Sequence, residues 1–177
     1  MAYTYSKLAS VTVGSGGSSS IDFIAIPQNY TDLVVKHSLR QSGYTGVTWD
    51  WLKFRFNGSS STVYSSRDLE GNGANVYSNT FTSQNGMVKL GLANSTTSTS
   101  STFSNGELYI PNYTSSSNKS VSGDGVHEDN ATNAITVLGA GLWADTSAIT
   151  SILLYPENGT AWVQYSTATL YGIKAEV

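Results

Sequence analysis

The chain contains no cysteine, three prolines and two histidines among its 177 residues, and only 12% of them are charged. Without cysteine, disulfides, thiolate nucleophiles and the commonest structural zinc sites are excluded. That fits either a reducing cytoplasm or an exterior life without redox chemistry. The charged fraction is about half that of an ordinary soluble domain, and Ser and Thr together supply about a quarter of the residues instead. Solubility therefore rests on hydroxyls and amides. A formal charge of −3 with no basic cluster lacks the electrostatic footprint of phosphate-backbone binding, so no nucleic-acid partner is expected. No apolar run approaches the length that spans a bilayer, and residues 1–7 lack the charged-then-apolar layout of a signal peptide. No membrane partner is expected either.

What the chain has in abundance is punctuation. Short β-branched and aromatic runs are cut roughly every ten residues by Ser, Thr, Asn and Gly, and no helical period is sustained anywhere. One all-β domain over residues 1–177 is expected, with residues 1–18 a candidate partner-contacting strand. Strands are predicted near 6–13 and 19–26, forming an opening hairpin, and over 31–41, where Leu33, Val35, His37 and Leu39 share a face. The clearest is 49–56, with Leu52, Phe54 and Phe56 on one side, closed by the turn-forming pair Asn57-Gly58. Weaker strand signals lie at 63–69 and 87–92, and the hydroxyl-rich run 94–102 reads as a long exposed loop. Further strands are expected at 106–111, 134–143 and 148–155, and a last hairpin at 151–155 against 161–173. Eight or more short strands with amphipathic faces towards both ends predict a jelly-roll-like antiparallel β-sandwich. Its core is expected to hold Ile21, Phe23, Leu33, Val35, Leu39, Leu52, Phe54, Phe56, Leu108, Ile110, Ile152, Leu154 and Leu170, each contributing on the order of 2 kcal/mol when buried.

Side chains with chemistry to offer are few. His37 falls on an apolar strand face and reads as a buried, hydrogen-bonded core histidine. His127 lies in the oxygen-rich segment 123–130, which does not match an EF-hand spacing and reads as a solvated acidic turn rather than an ion site. A glycosidase would need two flanking carboxylates, and Asp50 with Glu107 would be the first pair to inspect, yet both sit in ordinary strand sequence. No catalytic residue, metal site or cofactor is expected. The surface most suited to recognition is the strand face of Trp49, Trp51, Lys53 and Arg55, because Trp and Arg dominate interface energetics. If the register slips, Trp51 is instead core.

The blocks Ile26-Pro27-Gln28-Asn29-Tyr30-Thr31-Asp32-Leu33, Phe54-Arg55-Phe56-Asn57-Gly58, Leu108-Tyr109-Ile110-Pro111-Asn112-Tyr113, Ala140-Gly141-Leu142-Trp143, Ile149-Thr150-Ser151-Ile152 and Leu170-Tyr171-Gly172-Ile173 resemble a group of small β-rich structural proteins of tailed bacteriophages of aquatic bacteria, cyanophages among them. The resemblance implies a non-enzymatic virion protein, assembled in the host cytoplasm and carried on the capsid exterior. Its expected partners are further copies of itself, as a homotrimer, and the major capsid protein, which it would decorate and cement. The alternative is a tail-fibre or carbohydrate-binding tip, where Trp49, Tyr44 or Tyr113 would stack on glycan rings.

Overall fold

The computed structural model of the chain describes residues 3–131 and 133–175. The described residues form thirteen strands and no helix: β1 (Tyr3–Thr12), β2 (Ile21–Phe23), β3 (Asp32–Ser42), β4 (Trp49–Phe56), β5 (Tyr64–Gly71), β6 (Val76–Gln84), β7 (Leu92–Ser95), β8 (Ser104–Ile110), β9 (Lys119–His127), β10 (Ile135–Trp143), β11 (Ile152–Pro156), β12 (Ala161–Trp162) and β13 (Thr167–Ala175). One layer runs β1-β13-β3-β8 and the other β2-β11-β4-β7. This is the interleaved order of a jelly-roll sandwich. All neighbours are antiparallel except β3 and β7, whose parallel pairing of Arg40 with Asn94 and Gln41 with Ser95 joins the layers. Two hairpins are added to this frame. β9–β10 and β5–β6 extend the first layer beyond β8 in the order β9-β10-β5-β6.

All thirteen residues expected in the core are buried, and both layers contribute to one cluster. The expected hairpins at the two ends do not form. β1 pairs with β13, and β2 with β11, because the glycine-rich linker after β1 crosses to the opposite layer instead of folding back. Val13 N–H donates to the Ser166 carbonyl on the way, and Ser18 pairs with Trp162. At the other end β11 pairs with β2 and β4, while β13 pairs with β1 and β3. The turn that leaves β11 is held to β4, since the buried Asp50 carboxylate accepts the N–H groups of Asn158 and Gly159 at 3.0 and 2.8 Å. Alternation makes a strand but does not name its neighbour.

The reading of 123–130 as a solvated turn fails for 123–127 and holds for the exposed Glu128 and Asn130, where Asn130 N–H donates to Glu128 Oε1. Gly123 and Gly125 belong to β9, and together with Gly139 and Gly141 of β10 they pave the inward side of the extended layer. Residues 87–91 lie directly on that pavement. A Cβ at Gly123 would stand 2.5 Å from the Leu90 carbonyl oxygen, and one at Gly139 would stand 2.8 Å from that of Lys89. These glycines permit close approach of backbone to backbone rather than chain reversal. The same segment pairs with β4, through a bridge between Met87 and Phe54 and a bond from Leu52 N–H to the Gly91 carbonyl (3.1 Å). It thus fills the space between the layers where the first layer is widened. Neither is the run 94–102 wholly exposed. Asn94 and Ser95 are fully buried in β7, and the Arg40 guanidinium gathers the carbonyls of Ser98, Thr99 and Thr102.

Candidate interaction surface

Period-two geometry places Trp49, Trp51, Lys53 and Arg55 on one side of β4, as expected, but that side is not open. Trp51 is only 6% exposed. It packs with Leu92, Ile135 and Val137 in a second apolar cluster, with Trp49 against it at 4.9 Å between ring centroids, edge to face. Lys89 lies 4.3 Å above the Trp51 ring and is paired with Glu70 on β5 at 3.2 Å. The widened first layer has folded over this face of β4, which alternation within a single strand cannot foretell. Trp49, Lys53 and Arg55 are half-buried: Lys53 stands 3.9 Å from Glu157, while Arg55 donates to the Asn85 carbonyl (2.6 Å) and covers the Tyr155 ring.

The two tyrosines expected beside them are elsewhere. Tyr113 is completely buried, its hydroxyl donating to the Pro27 carbonyl and accepting from Tyr30 N–H, so it ties two loops together. Tyr44 is half-buried, and its carbonyl is held by Gln41 Nε2 and Ser95 Oγ. The six candidates therefore do not form one exposed surface.

The titratable candidates resolve into structural roles. Asp50 is fully buried and accepts bonds from the backbone of Trp51, Asn158 and Gly159 and from the Asn158 amide, while Glu107 pairs at the surface with Lys36 at 3.2 Å. His127 is buried at the end of β9 between Asn94 Oδ1 (2.8 Å) and Thr48 Oγ1 (3.2 Å), and burial lowers its pKa. His37 is buried as expected but not hydrogen-bonded. Neither ring nitrogen has a partner, and burial lowers its pKa to about 4. No group of three His, Asp or Glu side chains among the described residues is arranged to hold a metal ion.

The open surface lies on the added hairpins. In β5 the usual pattern is inverted: Ser66, Asp68 and Glu70 face inward and are buried, whereas Leu69 points out and is 55% exposed. Directly opposite it on β10 stands Leu138, 64% exposed, and Val76 at the start of β6 is 74% exposed. β6 runs for nine residues, Val76-Tyr77-Ser78-Asn79-Thr80-Phe81-Thr82-Ser83-Gln84, with no charge and no proline and with one irregularity of register near Ser83, and among the described residues it pairs only with β5. Both its faces are largely exposed. Long edge strands are ordinarily protected by charge, proline, a bulge or a covering element. Sequence reading missed this surface, although the out-of-phase Leu69 among Ser66, Asp68 and Glu70 carries a signal of it. Compared with protein families, with curated proteins and with solved structures, the chain matches none.

Proposed function

We propose that this chain is a non-catalytic assembly module, a virion structural protein of the capsid-decoration type that associates as a homotrimer and cements the outside of a repeating protein lattice. The observation that carries this reading is the charge-free edge of β6 beside the outward Leu69 and Leu138 pair. Unpaired N–H and C=O groups along an edge supply directional bonds to another chain, and adjacent exposed leucines supply apolar burial. A contact of modest area is sufficient when symmetry repeats it over a shell, because each attached copy strengthens the array without needing high affinity alone. Asp50, bonded to the turn that follows β11, is not free to serve in the acid pair that glycoside hydrolysis requires.

The test uses particles of the virus that encodes the chain. Quantitative mass spectrometry is expected to find on the order of hundreds of copies per particle, as capsid symmetry demands, rather than the few dozen or fewer of a tail fibre. In sedimentation the free protein is expected at three times its 18.8 kDa chain mass. Leu138→Asp, a change at an exposed position, is expected to abolish particle attachment while leaving the urea midpoint within error. Fibre-like copy number, or undiminished attachment of Leu138→Asp, would overturn the proposal.

A further inference from the structure

On the outer face of the first layer, at the end away from the linker that follows β1, the register gathers aromatic side chains from three strands. Tyr5 of β1, Ile173 of β13 and Asp32 of β3 lie in one cross-strand row. Lys7, Tyr171, Val34 and Tyr109 lie in the next, across β1, β13, β3 and β8. Tyr5 meets Tyr171 edge to face, with centroids 6.2 Å apart, and is itself 55% exposed. Tyr171 and Tyr109 both oppose Val34, so their strands stand about 10 Å apart. A shallow, open depression of about 360 Å³ lies here, lined among the described residues by Tyr5, Asp32, Tyr109 and Ile173. Ile173 is buried and supplies the apolar part of the lining, while Val34 is buried in the next row.

Asp32 is held rigidly at this depression. Its Oδ2 accepts the Tyr109 hydroxyl at 2.9 Å and its Oδ1 accepts Asn112 N–H at 2.9 Å. A carboxylate offers about four acceptor positions, so lone pairs remain on both oxygens after these bonds are made. The partners that fix it are neutral donors; the described lining residues include no cation, and the exposed Lys7 stands in the adjoining row. The Asp32 carboxylate itself disfavours an anionic group at its edge of the site. A ligand suited to the site has one apolar face for tyrosine rings and an edge of hydroxyl donors for the carboxylate.

We infer that this depression is a saccharide-binding site, taking a pyranose ring whose C–H face rests against tyrosine and whose hydroxyls donate to Asp32. The inference goes beyond the lattice-binding reading and stands on a different part of the surface, so either can fail alone. A quaternary ammonium would also favour aromatic faces, but it brings no hydrogen-bond donor for the fixed carboxylate oxygens.

Saturation-transfer-difference NMR on the intact protein tests it, with methyl glucoside, methyl galactoside, methyl mannoside, N-acetylglucosamine and choline as separate probes. Transfer to the ring protons of at least one saccharide is expected at about 10 mM probe, the weak affinity proper to a single-ring site. Tyr5→Ala, at an exposed ring, and Asp32→Asn, which keeps the side-chain shape, are each expected to weaken that signal about tenfold. Leu138→Asp is expected to leave it unchanged. No transfer to any saccharide, transfer to choline alone, or full transfer in both Tyr5→Ala and Asp32→Asn would overturn the assignment.

Discussion

At the scale of single residues, the sharpest departure from ordinary chemistry is His37. It stands in register with Gly106 and Ala168 and is covered by Gly91, surroundings that offer its ring nothing to bond. Desolvation lowers its pKa to about 4. The unfolded chain takes up a proton near the ordinary value of about 6.5 whereas the folded one does not, so folding stability is intact above that pH. It is lost progressively as pH falls from about 6.5 towards 4, by roughly 3 kcal/mol in total. His127, lowered for the same reason, adds to this trend, and Glu157, raised by burial, subtracts from it. We expect His37→Leu to match or exceed the parent in urea midpoint at pH 7 and to lose much of the decline between pH 6.5 and 4. Parallel pH profiles for the two proteins would show that the histidine is not its source.

At the scale of elements, strands were far more legible than partners. The span of β4 was readable to the residue, because Leu52, Phe54 and Phe56 alternate cleanly and Asn57-Gly58, both at positive φ, then close it. β9 escaped notice because Gly123 and Gly125 look like turn residues until the chain that lies on them is known. β6 escaped because its polar, two-sided exposure lacks the alternation that a buried face imprints. The candidate site suffered in the same way: Trp51 has the composition of an interface residue, and its interface turned out to be internal. The glycine pavement makes a testable contrast between two strand positions. Gly139→Ala thrusts a methyl group towards the Lys89 carbonyl and the Leu90 side chain, and overpacking of this sort costs about 1–3 kcal/mol. Gly71→Ala, at the end of β5, meets nothing within 4 Å, so it is expected to be neutral or to stabilise by up to about 1 kcal/mol through the unfolded chain. Chemical denaturation of the two variants measures the difference, and equal effects would mean that residues 87–91 yield easily.

At the scale of the whole molecule, the defining property is how far apart in sequence the paired strands lie. β1 meets β13 with Lys7 opposite Tyr171, and β2 meets β11 with Phe23 opposite Ile152. Each pairing closes a very long loop before any bond repays the lost chain entropy. Refolding from urea, followed by tryptophan fluorescence in stopped flow, is therefore expected over milliseconds to seconds, on the order of a thousandfold or more slower than helical proteins. The buried Trp143 and Trp162 sit in the shared core and report its closure. Full recovery of their signal within microseconds would show that the core assembles before the distant strands come together.

Four missing side chains have a consequence for ancestry. Wherever a descendant of this chain keeps a peptide threaded between the layers, substitution at Gly123, Gly125, Gly139 or Gly141 collides with main chain or with core side chains such as Leu90 and Met87. Surface positions outside the contact sites can drift more freely meanwhile. The spaced doublet Gly-x-Gly, repeated one strand later, is thus a fingerprint that mutation erases last, and it offers a means of finding kin whose remaining letters have all changed.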